Sequence, residues 1–123
     1  MRKIEFRGKR LDNGEWVVGN LIQGDQSFIE GLEVDPETVG QFTGLHDTDG
    51  TEIYEGDVVD FVAYDAIGNE RGKEQGVVRF EFCGYQIGGY DMYDVLLNDD
   101  EVEIIGNIHD NPELIRYEQF HKN

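Results

Sequence analysis

Apolar and polar residues alternate along much of the first half of the chain, and turn-forming residues separate the alternating runs. Ile4 and Phe6 alternate with charged neighbours, which is typical of a half-buried strand. The Asp-Asn-Gly sequence at residues 12–14 favours a tight turn, so the β-forming run at residues 15–22 predicts the second strand of a hairpin. β-forming segments also flank the Asp-Thr-Asp-Gly sequence at residues 47–50, which indicates a second hairpin.

Two shorter patterns lie between these hairpins. Residues 27–30 predict a short strand, because turn-forming residues precede an apolar pair. Asp35 and Pro36 predict a capped single turn, since an Asp side chain accepts hydrogen bonds from free backbone N–H groups and Pro suits the first helical position.

The second half of the chain carries longer apolar runs. Residues 58–64 predict a strand with apolar side chains on both faces, a polar loop is expected over residues 65–74, and another strand over residues 76–82. The last strand candidates are residues 90–97 and 102–108. Several strands joined by tight turns favour a compact barrel or sandwich.

The pattern changes again near the C-terminus. Asn111 is a good N-cap, Pro112 fits the first helical position, and Leu114, Tyr117 and His121 fall near helical spacing. A short C-terminal helix is therefore predicted.

Length and composition support a single domain. The chain has 123 residues, of which 38% are hydrophobic, and its 16 Gly against 2 Pro favour short strands over long helices. We expect one domain over residues 1–123, with two β subdomains over about 1–50 and 51–123 as the alternative.

The distribution of charge is the most unusual property of the sequence. The net charge is −17, yet half of the ten basic residues lie in the first ten positions, and there is no Lys or Arg from Leu11 to Glu70. We call these five residues the basic arm: Arg2, Lys3, Arg7, Lys9 and Arg10. Such a surface repels phosphate and anionic lipid, so membrane binding and direct nucleic-acid binding are disfavoured. The basic arm is expected to pair with acidic surface, on its own chain or on a neighbour.

The single cysteine bears on location. Cys83 has no partner for a disulfide, and no signal peptide or membrane-length apolar run is recognised, so a cytoplasmic protein is expected. Cys83 is interpreted as a buried small hydrophobe, because no base that could activate a thiol stands out.

Residues 47–50 resemble part of a calcium-binding EF-hand loop, but the spacing argues against one. Placing Gly50 at loop position six puts Leu45 at position one and Gly56 at position twelve, where carboxylate ligands are required. A hairpin turn is the preferred interpretation.

Other polar residues lack the spacing that chemistry requires. The acidic candidates are Asp57 with Asp60, and Asp99 with Asp100 and Glu101. The histidines are His46, His109 and His121. Acidic pairs arise by chance in so acidic a chain, and no histidine belongs to a zinc-binding pattern. His109 beside Asp110 could be a base oriented by an acid, although a polar residue at a strand-to-helix junction is the more frequent case. We therefore predict no catalytic, cofactor-binding or metal-binding residues.

Tyr85, Tyr90 and Tyr93 could form a platform for stacking nucleic-acid bases. That role also needs a cationic groove, whereas this region is acidic, so core or interface packing is the preferred interpretation.

Three stretches together resemble the YopX family, whose members are small proteins encoded by bacteriophages and prophages. They are residues 4–10 with 13–17, residues 36–45 with 52–59, and residues 104–108 with 110–114. The last contains the Gly-Asn-Ile-x-x-Asn-Pro-Glu-Leu pattern that ends at Leu114. The stretch over residues 64–101 carries no family motif.

The resemblance implies a phage-related, β-rich intracellular protein that self-associates, and it brings no enzymatic activity or cofactor. By analogy, the segment from Glu55 onward is expected to be a small SH3-like barrel, beginning at the Gly-Asp-Val-Val strand start. The expected fold class is all-β, mainly antiparallel, with a short C-terminal helix.

Three functions follow, in decreasing order of preference. The first is a homo-oligomeric protein-interaction module that binds itself or a host or phage protein; if the basic arm holds the copies together, salt should weaken assembly. The second is an acidic DNA mimic that inhibits a host DNA-binding protein. The third, an enzyme, is disfavoured.

Overall fold

The computed structural model describes residues 3–65, 67–81, 84–98 and 101–114. Within these residues the chain forms twelve strands, a 3₁₀ helix at Pro36–Thr38 and a short α-helix, α1, at Met92–Asn98. The strands are β1 Phe6–Lys9, β2 Trp16–Gly19, β3 Leu21–Gln23, β4 Ser27–Ile29, β5 Leu32–Val34, β6 Gly40–His46, β7 Glu52–Tyr54, β8 Asp57–Tyr64, β9 Glu70–Glu81, β10 Gly84–Ile87, β11 Tyr90–Asp91 and β12 Glu103–Asn107. The strand pairs are antiparallel, so the predicted all-β, mainly antiparallel class is confirmed.

The first half of the chain forms two sheets. A four-stranded sheet has the order β2-β1-β6-β7, and a three-stranded sheet has the order β3-β4-β5. Both predicted hairpins are present: β1 pairs with β2 across residues 12–14, and β6 pairs with β7 across residues 47–50. The capped turn is confirmed too, because Asp35 Oδ1 accepts a hydrogen bond of 3.0 Å from the Glu37 N–H.

The second half forms one five-stranded sheet with the order β11-β10-β9-β8-β12. The last described strand, β12, pairs with β8, the first strand of this half, and α1 lies between β11 and β12 in sequence. This arrangement is the expected SH3-like portion that begins after Glu55. In β12, an edge strand, the register shifts between Ile104 and Gly106, as it does at a β-bulge or other irregularity.

Two predictions for the second half are wrong. Residues 70–74, expected in a loop, belong to β9. The backbone of β8 pairs with them along a long β8–β9 hairpin that extends to Tyr64 and Glu70, and the polar side chains of these residues are tolerated in the outer part of that hairpin. Residues 92–97, expected in a strand, form most of α1, because Met92, Val95 and Leu96 lie three and four residues apart and thus share one helix face that packs on the core.

One hydrophobic core joins both halves of the chain. Its buried members are Ile53, Val59, Phe61, Ala63, Val78, Ile87, Met92, Val95 and Val102. Ile53 belongs to β7 of the first half, and it packs among side chains of the second half. The division into two subdomains stays a prediction.

The predicted C-terminal helix lies mostly outside the described residues. Glu113 and Leu114 have helical backbone, but residues 115–123, which include Tyr117 and His121, are not among those described. No helix in the described part of the chain is long and apolar enough to cross a membrane.

Candidate interaction surface

The four described members of the basic arm pair with carboxylates of their own chain. Lys3 Nζ lies 2.7 Å from Glu52 Oε2, Arg7 Nη2 lies 2.6 Å from Asp57 Oδ1, and Arg10 Nη2 lies 2.6 Å from Asp12 Oδ2. Lys9 pairs with Asp110. The sequence left open whether the basic arm pairs with acidic residues of its own chain or of a neighbour. The structure shows pairing within the chain.

Arg7 lies at the centre of this network. Its side chain is only 14% exposed, and its guanidinium carbon lies 4.7 Å from the ring centroid of Trp16 and 4.9 Å from that of Tyr54. Asp57 is buried as well and accepts a second hydrogen bond, 2.8 Å long, from the Tyr54 backbone N–H. Burial raises the pKa of the Asp57 carboxyl, although the nearby Arg7 charge acts in the opposite direction.

Asp110 anchors the segment after β12 to β2. Its Oδ2 accepts hydrogen bonds from Trp16 Nε1 at 2.9 Å and from Asn107 Nδ2 at 3.1 Å, and Lys9 provides a positive charge. Hydrogen bonds from Lys9, Trp16 and Asn107 lower the pKa of the Asp110 carboxyl. Because these groups engage its carboxylate, Asp110 holds the two halves of the chain together.

His109 lies at this junction, as expected for a polar residue after the last strand. Its ring centroid lies 5.9 Å from that of Trp16. Burial lowers the pKa of the His109 imidazole, and the charges of Arg7 and Lys9 lower it further. His109 lines a shallow cleft of about 350 Å³ between the two halves, together with Glu37, Glu55 and the end of β9.

The remaining sequence candidates do not converge. Asp57 and Asp60 are three positions apart on β8 and so point to opposite faces of the strand; Asp60 lies 3.8 Å from Lys73 Nζ. His46 is exposed and contacts the Phe42 ring edge-on at 5.6 Å. Cys83, Asp99, Asp100 and His121 lie outside the described residues. Among the described residues, no group of three or more His, Cys, Asp or Glu side chains could hold a metal ion.

The segment at residues 47–50, which resembles part of a calcium-binding loop, is a closed turn. Asp47 is buried, and its Oδ1 accepts hydrogen bonds from the backbone N–H groups of Asp49 at 3.0 Å and Thr51 at 2.9 Å. Its Oδ2 accepts a further hydrogen bond of 3.3 Å from the Ile104 N–H on β12. The carboxylate therefore stabilises the hairpin turn that the sequence predicted.

The three tyrosines separate into two environments. Tyr90 packs edge-on against the core residue Phe61, with centroids 5.6 Å apart, and Arg71 Nη1 lies 3.4 Å from its hydroxyl. Tyr85 packs edge-on against Phe80 at 5.1 Å, and Tyr93 is 61% exposed. Tyr85 and Tyr90 both pack against the core, and Tyr85 and Tyr93 also line a surface depression that Tyr90 does not reach.

We call this depression the aromatic groove. It measures about 430 Å³ and is lined by Thr43, Gly44, Leu45, Gly84, Tyr85, Asp91, Met92 and Tyr93. The lining comes from β6, the start of β10, the end of β11 and the start of α1. Met92 is fully buried, and Leu45 and Tyr85 pack against the core, so the groove is a place where the core reaches the surface.

The charge in the described lining of the aromatic groove is negative. Asp91 is the charged residue there. The described lining contains no Lys or Arg. Sequence analysis singled out two of the tyrosines but missed the groove, because its walls come from segments some forty residues apart.

The fold and surface together define a small antiparallel β protein with an SH3-like second half and an exposed aromatic groove. A family model described as "YopX protein" matches residues 5–116. The chain belongs to the YopX family, as its resemblance indicated.

A comparison with curated proteins finds no match. Among solved structures, the crystal structure of protein EF1440 from Enterococcus faecalis is similar, with a TM-score of 0.58 and 20% sequence identity. The similarity covers 93% of this chain and 99% of that chain. At this identity the likeness shows the fold alone.

Proposed function

We propose that this chain is a protein-interaction module with no catalytic chemistry of its own, and that it binds its partner through the aromatic groove. One observation carries the proposal: Tyr93 is 61% exposed and Phe80 56% exposed beside a groove that is continuous with the core. Exposed aromatic side chains next to a pocket are typical of the centre of protein interfaces.

Comparison of variants in a pull-down from the native host tests this function. Tyr93→Ser removes an exposed ring at the groove. Ile67→Ser removes an apolar side chain elsewhere, in the β8–β9 turn, that is even more exposed, at 83%. Proteins that bind the wild type and the Ile67→Ser variant should be lost with Tyr93→Ser. If the two variants retain the same proteins, the groove is not the binding surface.

Self-association is a second candidate, favoured by exposed aliphatic residues in the first half of the chain. These residues are Val18 on β2, Ile22 on β3 and Leu32 on β5. The described members of the basic arm pair with carboxylates of their own chain and do not bridge two copies. Two associating copies, each with a net charge of −17, would therefore repel each other. Salt should therefore strengthen association by screening repulsion, contrary to the effect expected for contacts made by the basic arm. Sedimentation at low and high salt tests this; a monomer at every salt and concentration refutes it.

The DNA-mimic function remains the alternative, supported by the span from Leu11 to Glu70 without Lys or Arg. Duplex DNA added to the same pull-down should displace the partners of a mimic. Partners that stay bound would contradict it.

We further propose that the protein acts in the cytoplasm of a bacterium carrying a phage or prophage. The single cysteine supports the compartment, and membership of the family supports the source. Detection of the transcript with neighbouring phage genes, and of the protein in the soluble cytoplasmic fraction, would test the two parts separately.

A further inference from the structure

We propose that the aromatic groove binds an extended segment of another protein that combines an apolar side chain with Lys or Arg. This inference rests on the proposed interaction function and names the chemistry of the partner.

The backbone of the groove leaves room for an extended chain. Gly84 lies in the lining, and a Cβ atom added there would meet no heavy atom within 4 Å. Gly44 provides a second position without a side chain on the opposite wall. A partner backbone can therefore approach both strands closely, and an apolar side chain can enter between Leu45 and Tyr85. The volume of about 430 Å³ falls within the range of roughly 300–1,000 Å³ typical of binding pockets.

The rings and charges select a basic partner. Exposed faces of Tyr93 and Phe80 can receive a Lys or Arg side chain through cation–π contact. Asp91 places a carboxylate in the lining, and the chain carries a net charge of −17, so an acidic segment is repelled.

A second copy of this chain fits the aromatic groove poorly. Its described basic arm is paired with Glu52, Asp57, Asp110 and Asp12. Two copies also each carry a net charge of −17 and repel each other, so we take a segment of a different protein as the occupant.

Selection from a display library of random dodecapeptides tests the inference, with the full chain as bait. Enriched peptides should contain Lys or Arg together with Leu or an aromatic residue, and their affinity should fall at least tenfold between 50 mM and 500 mM salt, on the order expected when several charge contacts are screened.

A variant that fills the groove locates the binding site. Gly84→Val places a side chain in open space, so it should fold normally and reduce peptide binding at least tenfold, whereas Ile67→Ser should bind as the wild type does. Circular dichroism and thermal unfolding of Gly84→Val confirm that the variant is folded.

Each other outcome overturns the inference. If the enriched peptides are neutral or acidic and their binding is still lost in Gly84→Val, the inference of a basic partner is wrong, but the proposed function is unaffected. If Gly84→Val binds the enriched peptides as the wild type does, or if no peptide is enriched, the groove is not a peptide-binding site. The proposed function itself fails only if Tyr93→Ser also retains the native partners.

Discussion

Arg7 and Asp57, 50 residues apart in sequence, form an ion pair of 2.6 Å in which both side chains are largely buried. The pair joins β1 of the first half to β8 of the second half. The raised pKa of Asp57 indicates that its burial costs more free energy than the Arg7 charge returns. The pair therefore specifies the relative position of the two sheets and adds little net free energy to the stability of the fold.

Replacing Arg7 alone should strongly destabilise the protein. Arg7→Met leaves the Asp57 carboxylate buried without its cation, so the free energy of unfolding should fall by about 3–5 kcal/mol in urea denaturation at pH 7. The double variant Arg7→Met/Asp57→Asn removes both charges, keeps an acceptor for the Tyr54 backbone N–H and should recover most of that loss. Arg10→Met, at an exposed pair, is the control and should change stability little. An Arg7→Met variant as stable as the wild type would contradict this account.

The lowered pKa of His109 predicts a pH dependence of stability. The unfolded chain binds a proton at His109 near pH 6.5, more readily than the folded protein does, so stability is full above that pH and declines as pH falls through it. His109→Gln should reduce this decline, while His46→Gln, at an exposed ring, should retain it. Urea midpoints at pH 7.5 and 5.5 measure the effect; equal declines in wild type and His109→Gln would refute it.

The contact between Trp16 and Asp110 should be visible in fluorescence. Trp16 is the only tryptophan, and Asp110→Ala removes the acceptor of its indole N–H. We expect a shift of tryptophan emission and a loss of about 1–2 kcal/mol in the free energy of unfolding, the scale of a partly exposed hydrogen bond to a charged group. Glu113→Ala, at an exposed position close by in sequence, should change neither. Unchanged emission in Asp110→Ala would show that the contact is absent in solution.

Close packing of backbone at Gly76 predicts a difference between two glycines. A Cβ atom at Gly76 would lie 2.6 Å from the backbone nitrogen of Gly88 and 2.7 Å from its Cα, whereas one at Gly84 would meet no heavy atom within 4 Å. Gly76→Ala should therefore lower the free energy of unfolding by about 1–3 kcal/mol, and Gly84→Ala should be nearly neutral. Thermal unfolding of the Gly76→Ala and Gly84→Ala variants measures the difference. Equal stabilities would show that β9 and the β10–β11 turn are packed less tightly in solution than this contact between Gly76 and Gly88 requires.

The local features of the fold were predictable from the sequence. The turns at residues 12–14 and 47–50 and the Asp35 cap were all found by their residue types, because each depends on neighbours in the chain. The alternating pattern also identified most strands and thus the antiparallel β class. Three stretches of family motif, above all the central block at residues 36–59 and the pattern that ends at Leu114, identified the YopX family.

Where local pattern and tertiary packing disagreed, packing prevailed. The β-forming residues at 92–97 became helix, because Met92 and Val95 fill the core from one helix face. The polar residues at 70–74 became strand, because β8 offers backbone hydrogen bonds that no local signal records.

The sequence by itself determined the class of fold, its turns, its family and its acidic charge, since these depend on residue type and on close neighbours. Only the tertiary structure decided that Arg7 pairs with Asp57 and that Leu45, Tyr85 and Tyr93 line one groove. These contacts join residues tens of positions apart. Which distant side chains meet is fixed by the packing of the sheets around a shared core, and no pattern along the chain specifies that packing.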